Sequence, residues 1–195
     1  TQPISDAATL VRPENLRGLP PDNTLVLVNG KRRHRGAVIA FLGGGVSDGA
    51  QGADVSPIPS IALKQVEVLR DGASAQYGSD AIAGVINFIL KDSAEGFSIV
   101  GRWGTTFEGD GDMYKIAANI GLPLGPNGFA NFSFETTESD ATSRSTQRAD
   151  AAQLILLGNT AIRNPAQIWG QPEITDDYKF FANLGLDLDD NTHAY

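Results

Sequence analysis

The chain has 195 residues, an apolar fraction of 41%, a net charge of −8 and no cysteine. This length is enough for one or two cores, and the acidic balance argues against nucleic acid as a partner, because phosphate binding needs a basic face. The lack of cysteine excludes thiol catalysis, thiolate metal sites and disulfides. No apolar run approaches the roughly 20 residues of a spanning helix. This excludes a helical membrane protein but not a β-barrel, whose strands hide their apolar residues by alternation.

The first clear signals for regular structure lie between residues 24 and 35. Residues 24–28 are apolar on both faces, which is typical of a central strand. Asn29-Gly30 predicts a type I′ hairpin turn into a returning strand over 31–35, the basic run Lys-Arg-Arg-His-Arg. This run is either an anion-binding patch, for an acidic ligand or lipid, or a solvated edge strand whose charges block unwanted pairing. The edge strand is favoured, because five residues cannot set the field of so acidic a chain.

Residues 36–56 are rich in glycine and predict a long loop, and long loops in compact domains are often functional. The segment has neither the Gly-Lys-Ser/Thr ending of a phosphate-binding loop nor a dinucleotide-type glycine spacing. Asp48 and Asp54 are spaced too irregularly for a calcium loop.

A short helix and two buried strands are predicted next. Ser56-Pro57 has the residue types of an N-cap and a first helical position, so a helix is expected over 58–64. Two β-branched apolar runs, around 66–69 and 85–90, predict strands joined by a connection that glycines punctuate.

The same stretch contains four motifs in a fixed order. They are Val-Glu-Val-Leu-Arg at 66–70, Gly-Ala-Ser-Ala-Gln-Tyr-Gly at 72–78, Ala-Ile-Ala-Gly-Val-Ile-Asn at 81–87, and Lys91. A generic strand pair explains the residue types but not their order. The stretch resembles the C-terminal half of the plug domain of TonB-dependent outer-membrane receptors, and Leu-Arg-Gly at 16–18 resembles a further element of that family.

From residue 95 onward, apolar and polar residues alternate with a strict period of two. Four strands with one apolar and one polar face are predicted, over 97–107, 114–122, 130–135 and 178–188. Their lengths approach the roughly 10 residues of tilted membrane-spanning strands. A soluble β-sandwich alternates in the same way, but the plug-like stretch immediately upstream favours a transmembrane barrel.

The predicted connections differ in length. Tight turns are expected at 108–111, 123–128 and 189–191, and a long loop is expected over about 139–177, with a short helix at 150–157. If the first strand starts on the periplasmic side, the long loop faces outside, the usual asymmetry of outer-membrane barrels. Trp169, in this loop, stays unassigned between a ligand contact and packing against its own loop.

The resemblance implies a fold of two parts. Residues 1–92 would form an α+β plug, a small mixed sheet with short helices, truncated at its N-terminus. Residues 95–195 would form the first four to five strands of an antiparallel transmembrane β-barrel that is incomplete in this chain. Because the chain starts at Thr1 without a signal peptide, and family barrels close with roughly 22 strands, we expect a fragment of a longer receptor.

The resemblance also implies roles for individual residues. Arg17 and Arg70 correspond to arginines that pair with glutamates on the inner barrel wall, and those glutamates are expected beyond Tyr195. A guanidinium suits this role because its planar donor fork holds a carboxylate even when largely buried. The plug residues expected to face the ligand are Pro21, Asp22, Arg33, His34, Arg35 and Gln51.

The function implied by the resemblance is TonB-dependent active transport of a scarce ligand across the outer membrane. The ligand would be a ferric siderophore, cobalamin or an oligosaccharide, and the plug would occlude the barrel. The expected partners are the inner-membrane TonB–ExbB–ExbD complex, the small-molecule ligand and outer-membrane lipid.

We expect no enzyme, cofactor or metal site. The sequence offers no nucleophile–base pair or paired acids, and His34 and His193 lack the spacing of metal ligands. A soluble plug-like ligand-binding or signalling module without transport is the alternative. A glycan hydrolase, the other rival, would need two converging carboxylates.

Overall fold

The computed structural model describes residues 11–39, 49–70, 73–167, 169–189 and 191–195, which form two β-sheets. The first sheet contains β1 (Thr24–Val28), β2 (Lys31–Arg32), β3 (Leu63–Leu69) and β4 (Gly84–Leu90), in the order β2-β1-β4-β3. β1 and β4 run parallel, with Thr24 opposite Gly84, and the other pairs are antiparallel. The predicted small mixed sheet is confirmed.

The core of the first sheet lies around its central strand. Leu25 and Leu27 of β1 are buried against Val85 of β4 and against Ala81. β1 is buried from Thr24 to Leu27, as expected of a strand with apolar residues on both faces, whereas the edge strand β3 is exposed from Lys64 onward. The apolar residues of β1 and β4 therefore form the interior of this sheet. The strand predicted around 66–69 is present but is not buried as expected, because β3 is an edge strand and Val66 and Val68 are each 47% exposed.

The predicted hairpin after β1 is present, but its second strand is shorter than expected. Asn29 and Gly30 have φ values of 48° and 76°, the left-handed conformations that a type I′ turn requires. β2 covers only Lys31–Arg32 instead of 31–35. The chain then turns away, and Arg35 forms an isolated bridge with Ala53 at the far end of the glycine-rich segment. Residues 40–48 of that segment lie outside the described residues.

The helix predicted over 58–64 is wrong. A single 3₁₀ turn, Ser60–Ala62, occupies this place, and β3 begins directly after it at Leu63. The physical reason is Pro59, because a residue that precedes proline is disfavoured in the α region. Ile58 therefore cannot continue a helix that starts at Pro57.

The connection between β3 and β4 contains α1 (Ala73–Tyr77) and a 3₁₀ turn, Ser79–Ala81. It ends at Gly84, where φ is 143° and an added Cβ would lie 2.4 Å from the carbonyl oxygen of Leu69. Only glycine tolerates both conditions. The glycine of the Ala-Ile-Ala-Gly-Val-Ile-Asn motif is thus required by the close approach of β3.

The second sheet is an antiparallel meander in which each strand pairs with its neighbour in sequence. Its strands are β5 (Phe97–Gly104), β6 (Met113–Pro123), β7 (Gly128–Ser139), β8 (Ile174–Asp189) and β9 (Thr192–Ala194). The four predicted strands are confirmed, with β9 as a fifth. β5 and β9 are the edges, so the described residues do not close a barrel. The predicted domain division between residues 92 and 95 stays a prediction.

The connections of the second sheet follow the predicted pattern of short turns and one long loop. The long loop runs from residue 140 to residue 173 and contains α2 (Ala149–Leu156), close to the helix predicted at 150–157. None of the described helices is long and apolar enough to cross a membrane.

The second sheet buries its polar face and exposes its apolar face. Asn131, Ser133 and Glu135 of β7 are each 3% exposed, whereas Ile99 of β5 is 65% exposed and Phe180 of β8 is 68% exposed. The polar face lies against the first sheet. A closed, water-soluble core would instead gather the apolar side chains inside, so this arrangement contradicts the β-sandwich alternative.

Candidate functional site

Most residues predicted to face a ligand lie together on the first sheet. Pro21, Asp22, Arg33, Arg35 and Gln51 line one cleft of about 20 Å³. A volume of this size holds little more than one water molecule. The structure therefore brings these five residues together, but it does not form a ligand-sized pocket from them.

Two of these residues close the base of the glycine-rich segment. The Asp22 carboxylate accepts a hydrogen bond from the backbone N–H of Gln51 (2.8 Å), and the Gln51 side chain donates to the carbonyl oxygen of Gly36 (2.7 Å). A backbone bond from Gly36 to Gly52, 2.8 Å long, lies beside them. Asp22 and Gln51 thus hold the two ends of the segment together.

The arginines of the basic run surround a single carboxylate. Arg32 and Arg35 both form ion pairs with Asp80, the second at 3.4 Å. Arg33 lies in the same cleft, so three guanidinium groups face two carboxylates, those of Asp22 and Asp80. The cleft carries net positive charge on a chain that is acidic overall.

His34 does not line this cleft. It lines a larger cavity of about 770 Å³ between the β1–β2 hairpin and strands β7 to β9, together with Lys31, Phe181 and Tyr195. Arg32 and Arg33 line both the cleft and the cavity. Within the described ranges, no group of three or more histidine, aspartate or glutamate side chains is arranged to hold a metal ion.

Arg17 and Arg70 lie next to each other on the exposed edge of the first sheet. Arg17 adopts a φ of 61°, and its Nη1 donates to the backbone oxygen of Arg70 at 3.1 Å. Their pairing with barrel glutamates stays a prediction. The structure does contain one glutamate on the polar face of the second sheet, Glu135, and its partners are lysines.

Glu135 is the centre of an ion cluster that the sequence analysis missed. Its carboxylate is 2.8 Å from Lys115 Nζ of β6 and 3.2 Å from Lys179 Nζ of β8. Ser60 of the first sheet donates to the same carboxylate at 3.5 Å. Glu135 lies directly opposite Lys179 in the register of β7 and β8. Opposite charges on the polar faces of neighbouring strands were visible in the sequence, but only the register shows that they meet.

A second polar contact joins the two sheets along the segment between them. Gly121, Asn131 and Asn183 stand opposite one another on β6, β7 and β8. Asn131 donates to the Ser93 carbonyl at 3.3 Å, and Asn183 donates to the Lys91 carbonyl at 2.9 Å. Asn183 also accepts a hydrogen bond from the side chain of Asn29, at 3.3 Å.

The long loop is fastened to the first turn of the second sheet. Arg144 binds both carboxylate oxygens of Asp110, at 2.6 and 2.7 Å, and Thr106 donates to the same carboxylate at 2.5 Å. These hydrogen bonds, of which the one from Arg144 has the largest effect, hold the pKa of Asp110 well below its usual range. Arg144 and Trp169 are joined by a backbone bond of 2.8 Å, so Trp169 belongs to the stem of its own loop.

Comparison with known proteins identifies the class of protein. The family model of the TonB-dependent receptor plug domain matches residues 6–85. Two crystal structures of the ferric enterobactin receptor of Pseudomonas aeruginosa share the fold. One, in complex with enterobactin, has a TM-score of 0.50 at 21% identity and covers 73% of this chain and 23% of that chain. The other has a TM-score of 0.51 at 22% identity and covers 68% and 21%.

Two curated relatives are similar in sequence. The probable TonB-dependent siderophore receptor PirA of Acinetobacter baumannii is 39% identical over 77 residues, which are 40% of this chain and 10% of that protein. The vitamin B12 transporter BtuB of Photobacterium profundum is 30% identical over 129 residues, 66% of this chain and 19% of that protein. The chain thus spans less than a fifth of the length of these relatives.

Residues 6–85 thus match the plug domain of TonB-dependent receptors, and the chain resembles a fragment of such a receptor. We call the first sheet the plug and the second sheet, which matches strands of the receptor fold, the wall.

Proposed function

We propose that this chain forms the plug and the first wall strands of an outer-membrane receptor that takes up a scarce ligand by TonB-dependent active transport. The observation that carries the proposal is the orientation of the wall: its polar face lies against the plug, and its apolar face is exposed. An exposed apolar face of this extent is expected where lipid covers it. The same face argues against a soluble plug-like module.

The charge of the plug cleft favours an anionic ligand. Arg32 and Arg35 share the carboxylate of Asp80, and Arg33 adds a further positive charge beside them. Guanidinium groups bind carboxylates and other planar anions through charge-assisted hydrogen bonds. A ferric siderophore therefore fits better than cobalamin or a neutral oligosaccharide, and two relatives are named as siderophore or ferric enterobactin receptors. Pro21 and Gln51 stay in the proposal as residues that line this cleft, and His34 as a residue of the neighbouring cavity.

The proposed partners follow from the family. The inner-membrane TonB–ExbB–ExbD complex would use the proton gradient to displace the plug, and lipid would surround the apolar face of the wall. The proposed location of the protein is therefore the outer membrane. Arg17 and Arg70 would pair with glutamates elsewhere on the barrel and so help to hold the plug in its resting position.

Uptake by the full-length receptor tests this function. Cells that produce the receptor are given iron-labelled ferric enterobactin or cyanocobalamin, with and without a protonophore. We expect accumulation of the ferric complex that stops when the proton gradient is removed. Accumulation that is insensitive to the protonophore, or a receptor that leaves the membrane without detergent, would contradict the proposal.

A matched pair of variants tests the ligand chemistry. Arg33→Gln removes a charge from the cleft, and Lys64→Gln removes one from the exposed ion pair with Asp92 on the opposite edge of the plug sheet. Loss of one charge-assisted hydrogen bond weakens binding by about tenfold. We expect this loss of ferric enterobactin affinity for Arg33→Gln only, and equal affinities for the two variants would exclude the cleft as the binding site.

A further inference from the structure

Two of the contacts between the plug and the wall differ in what the wall loses if they separate. The first is the linker, residues 91–96, which lies across the row formed by Gly121, Asn131 and Asn183. We call this row the anchor row. The second is the plug turn that begins at Ser60, which lies against the ion cluster of Glu135, Lys115 and Lys179. The plug also touches the wall at the β1–β2 hairpin, through the Asn29–Asn183 hydrogen bond and through Lys31, which lies over the ring of Tyr195.

At the anchor row, the wall depends on the linker for its hydrogen bonds. Asn131 and Asn183 donate to linker carbonyl groups, and the backbone N–H of Gly121 donates to the carbonyl of Gly96 at 2.9 Å. Asn131 is 3% exposed. If the linker left, these donors would lose their partners inside a largely buried surface, which is unfavourable.

The anchor row is also shaped for the linker. A Cβ on Gly121 would lie 2.4 Å from the Ser93 carbonyl and 2.8 Å from that of Glu95, so the linker backbone occupies the place of a side chain. Asn119, two residues before Gly121 on β6, donates to Oδ1 of Asn131 at 2.5 Å. This bond occupies the acceptor of Asn131 and leaves its amide N–H₂ directed at the linker.

At the ion cluster, the wall does not depend on the plug. Glu135 keeps both lysine partners when Ser60 leaves, and the bond that is lost is the longest of the three, at 3.5 Å. No buried charge is left without a partner on the wall. Separation at this contact is therefore much less costly than separation at the anchor row.

We propose that the anchor row holds the linker in place while the plug turn at Ser60 separates from the wall, so that the plug is displaced about a fixed linker. Asn131 and Asn183 are positioning residues in this proposal, and Asn119 acts through Asn131. The need for displacement rests on the proposed uptake function, whereas the anchor itself rests on the contacts of the resting receptor.

Single cysteines in the full-length receptor test the displacement, because this chain contains no cysteine of its own. Ala117→Cys reports on the wall beneath the plug turn, since Ala117 stands opposite Glu135 and is 2% exposed. Ala94→Cys reports on the linker, since Ala94 is half-buried. Maleimide labelling is followed in cells given ferric enterobactin, with and without a protonophore. We expect energised uptake to increase labelling at position 117 and to leave the rate at position 94 unchanged.

Equal increases at the two positions, or no increase at position 117 while the receptor accumulates the ferric complex, would overturn the proposal. A second measurement needs no transport. In the resting receptor, Asn183→Ala should raise the labelling rate of Ala94→Cys by about tenfold, as expected for loss of roughly 1.4 kcal/mol of protection. Asn183→Gln, which keeps the donor, should restore part of the protection, and Ser60→Ala should have no effect on this rate.

If Asn183→Ala leaves the resting rate unchanged, no anchor exists, whether or not the receptor transports the probe. If the anchor is found but no probe is taken up, the proposed function fails and the anchor stands. The labelling rate of the resting receptor therefore tests the anchor alone, whereas uptake of the probe tests the proposed function.

Discussion

The plug and the wall bury opposite kinds of side chain. In the plug, Leu25 and Leu27 are 4% and 6% exposed, and charged side chains lie at the edges. In the wall, the amides and the Glu135 cluster are buried, and Ile116 and Phe180 are exposed. The comparison shows that the period of a strand predicts its two faces, whereas the medium beyond the strand decides which face is turned inward.

The largest loss of stability is expected from a substitution on the buried side of the wall. Glu135→Ala removes the carboxylate that Lys115 and Lys179 share and leaves Lys179 with Asp177 alone, at 3.3 Å. Removal of one partner from a buried ion pair costs about 3–5 kcal/mol. We expect a loss of this order in the free energy of unfolding of the receptor in detergent, measured by urea titration. Glu135→Ala combined with Lys115→Met and Lys179→Met should recover most of it, and a triple variant as unstable as the single one would show that the cluster is not the cause.

A similar loss is expected from the apolar core of the plug. Leu27→Ala removes a buried side chain next to Val85 and costs about 2–5 kcal/mol. Because Leu27 lies in the plug and not in the wall, hydrogen exchange should increase in β1 and β4 and stay unchanged in β6 and β7. Uniform destabilisation of both sheets would mean that the two sheets unfold as one unit.

An arginine on the exposed face of the wall tests the comparison directly. Ile116→Arg should cost about 2–4 kcal/mol if lipid covers this face, measured as unfolding of the receptor from lipid vesicles. Leu156→Arg in α2 is the matched control, since Leu156 is also an exposed apolar residue but lies in the long loop, and its substitution should change stability by less than about 0.5 kcal/mol. Equal, small effects of the two variants would place Ile116 in water.

The smallest effect concerns the contact between the long loop and the first turn. The pKa of Asp110 is lowered from its ordinary value of 3.8 in the folded chain. A carboxylate of this kind contributes stability above its unfolded pKa and loses it as the pH falls through the folded value. The protection factor of the Arg144 amide, taken against the intrinsic exchange rate at each pH, should therefore stay constant from neutral pH down to about pH 4 and decrease only below it. Arg144→Gln should lower this protection factor already at neutral pH, and a protection factor that changes between pH 7 and pH 5 would contradict the assignment.

Part of the fold follows from the sequence, because strand period and turn chemistry act locally. The Asn29-Gly30 turn and the strand positions of β5 to β8 needed only neighbouring residues. The helix over 58–64 failed where two local signals competed, an N-cap at Ser56 and the restriction that Pro59 places on Ile58. The ends of β7 and β8 extend beyond the apolar alternation, because backbone pairing continues into polar residues that give no periodic signal.

The candidate sites could be predicted from the sequence to a smaller extent than the fold. Sequence placed Asp22, Arg33 and Gln51 in one region of the plug. It could not show that Gln51 binds the other end of its own loop, or that Asp22, outside this loop, binds Gln51. The Glu135 cluster and the anchor row depend on the register between strands. Register is set by the whole sheet and by the turns that join it, so no single stretch of the chain predicts which side chains meet.

The parallel pairing of β1 with β4 has a consequence for how the molecule folds. Each hairpin of the wall can form as soon as two successive strands exist, since its contacts are local in the chain. The plug sheet closes only when residue 84 meets residue 24, which requires a long intervening segment to be ordered first. Because closure of such distant pairs slows folding, the assembly of the plug should limit the rate at which this part of the receptor reaches its native state.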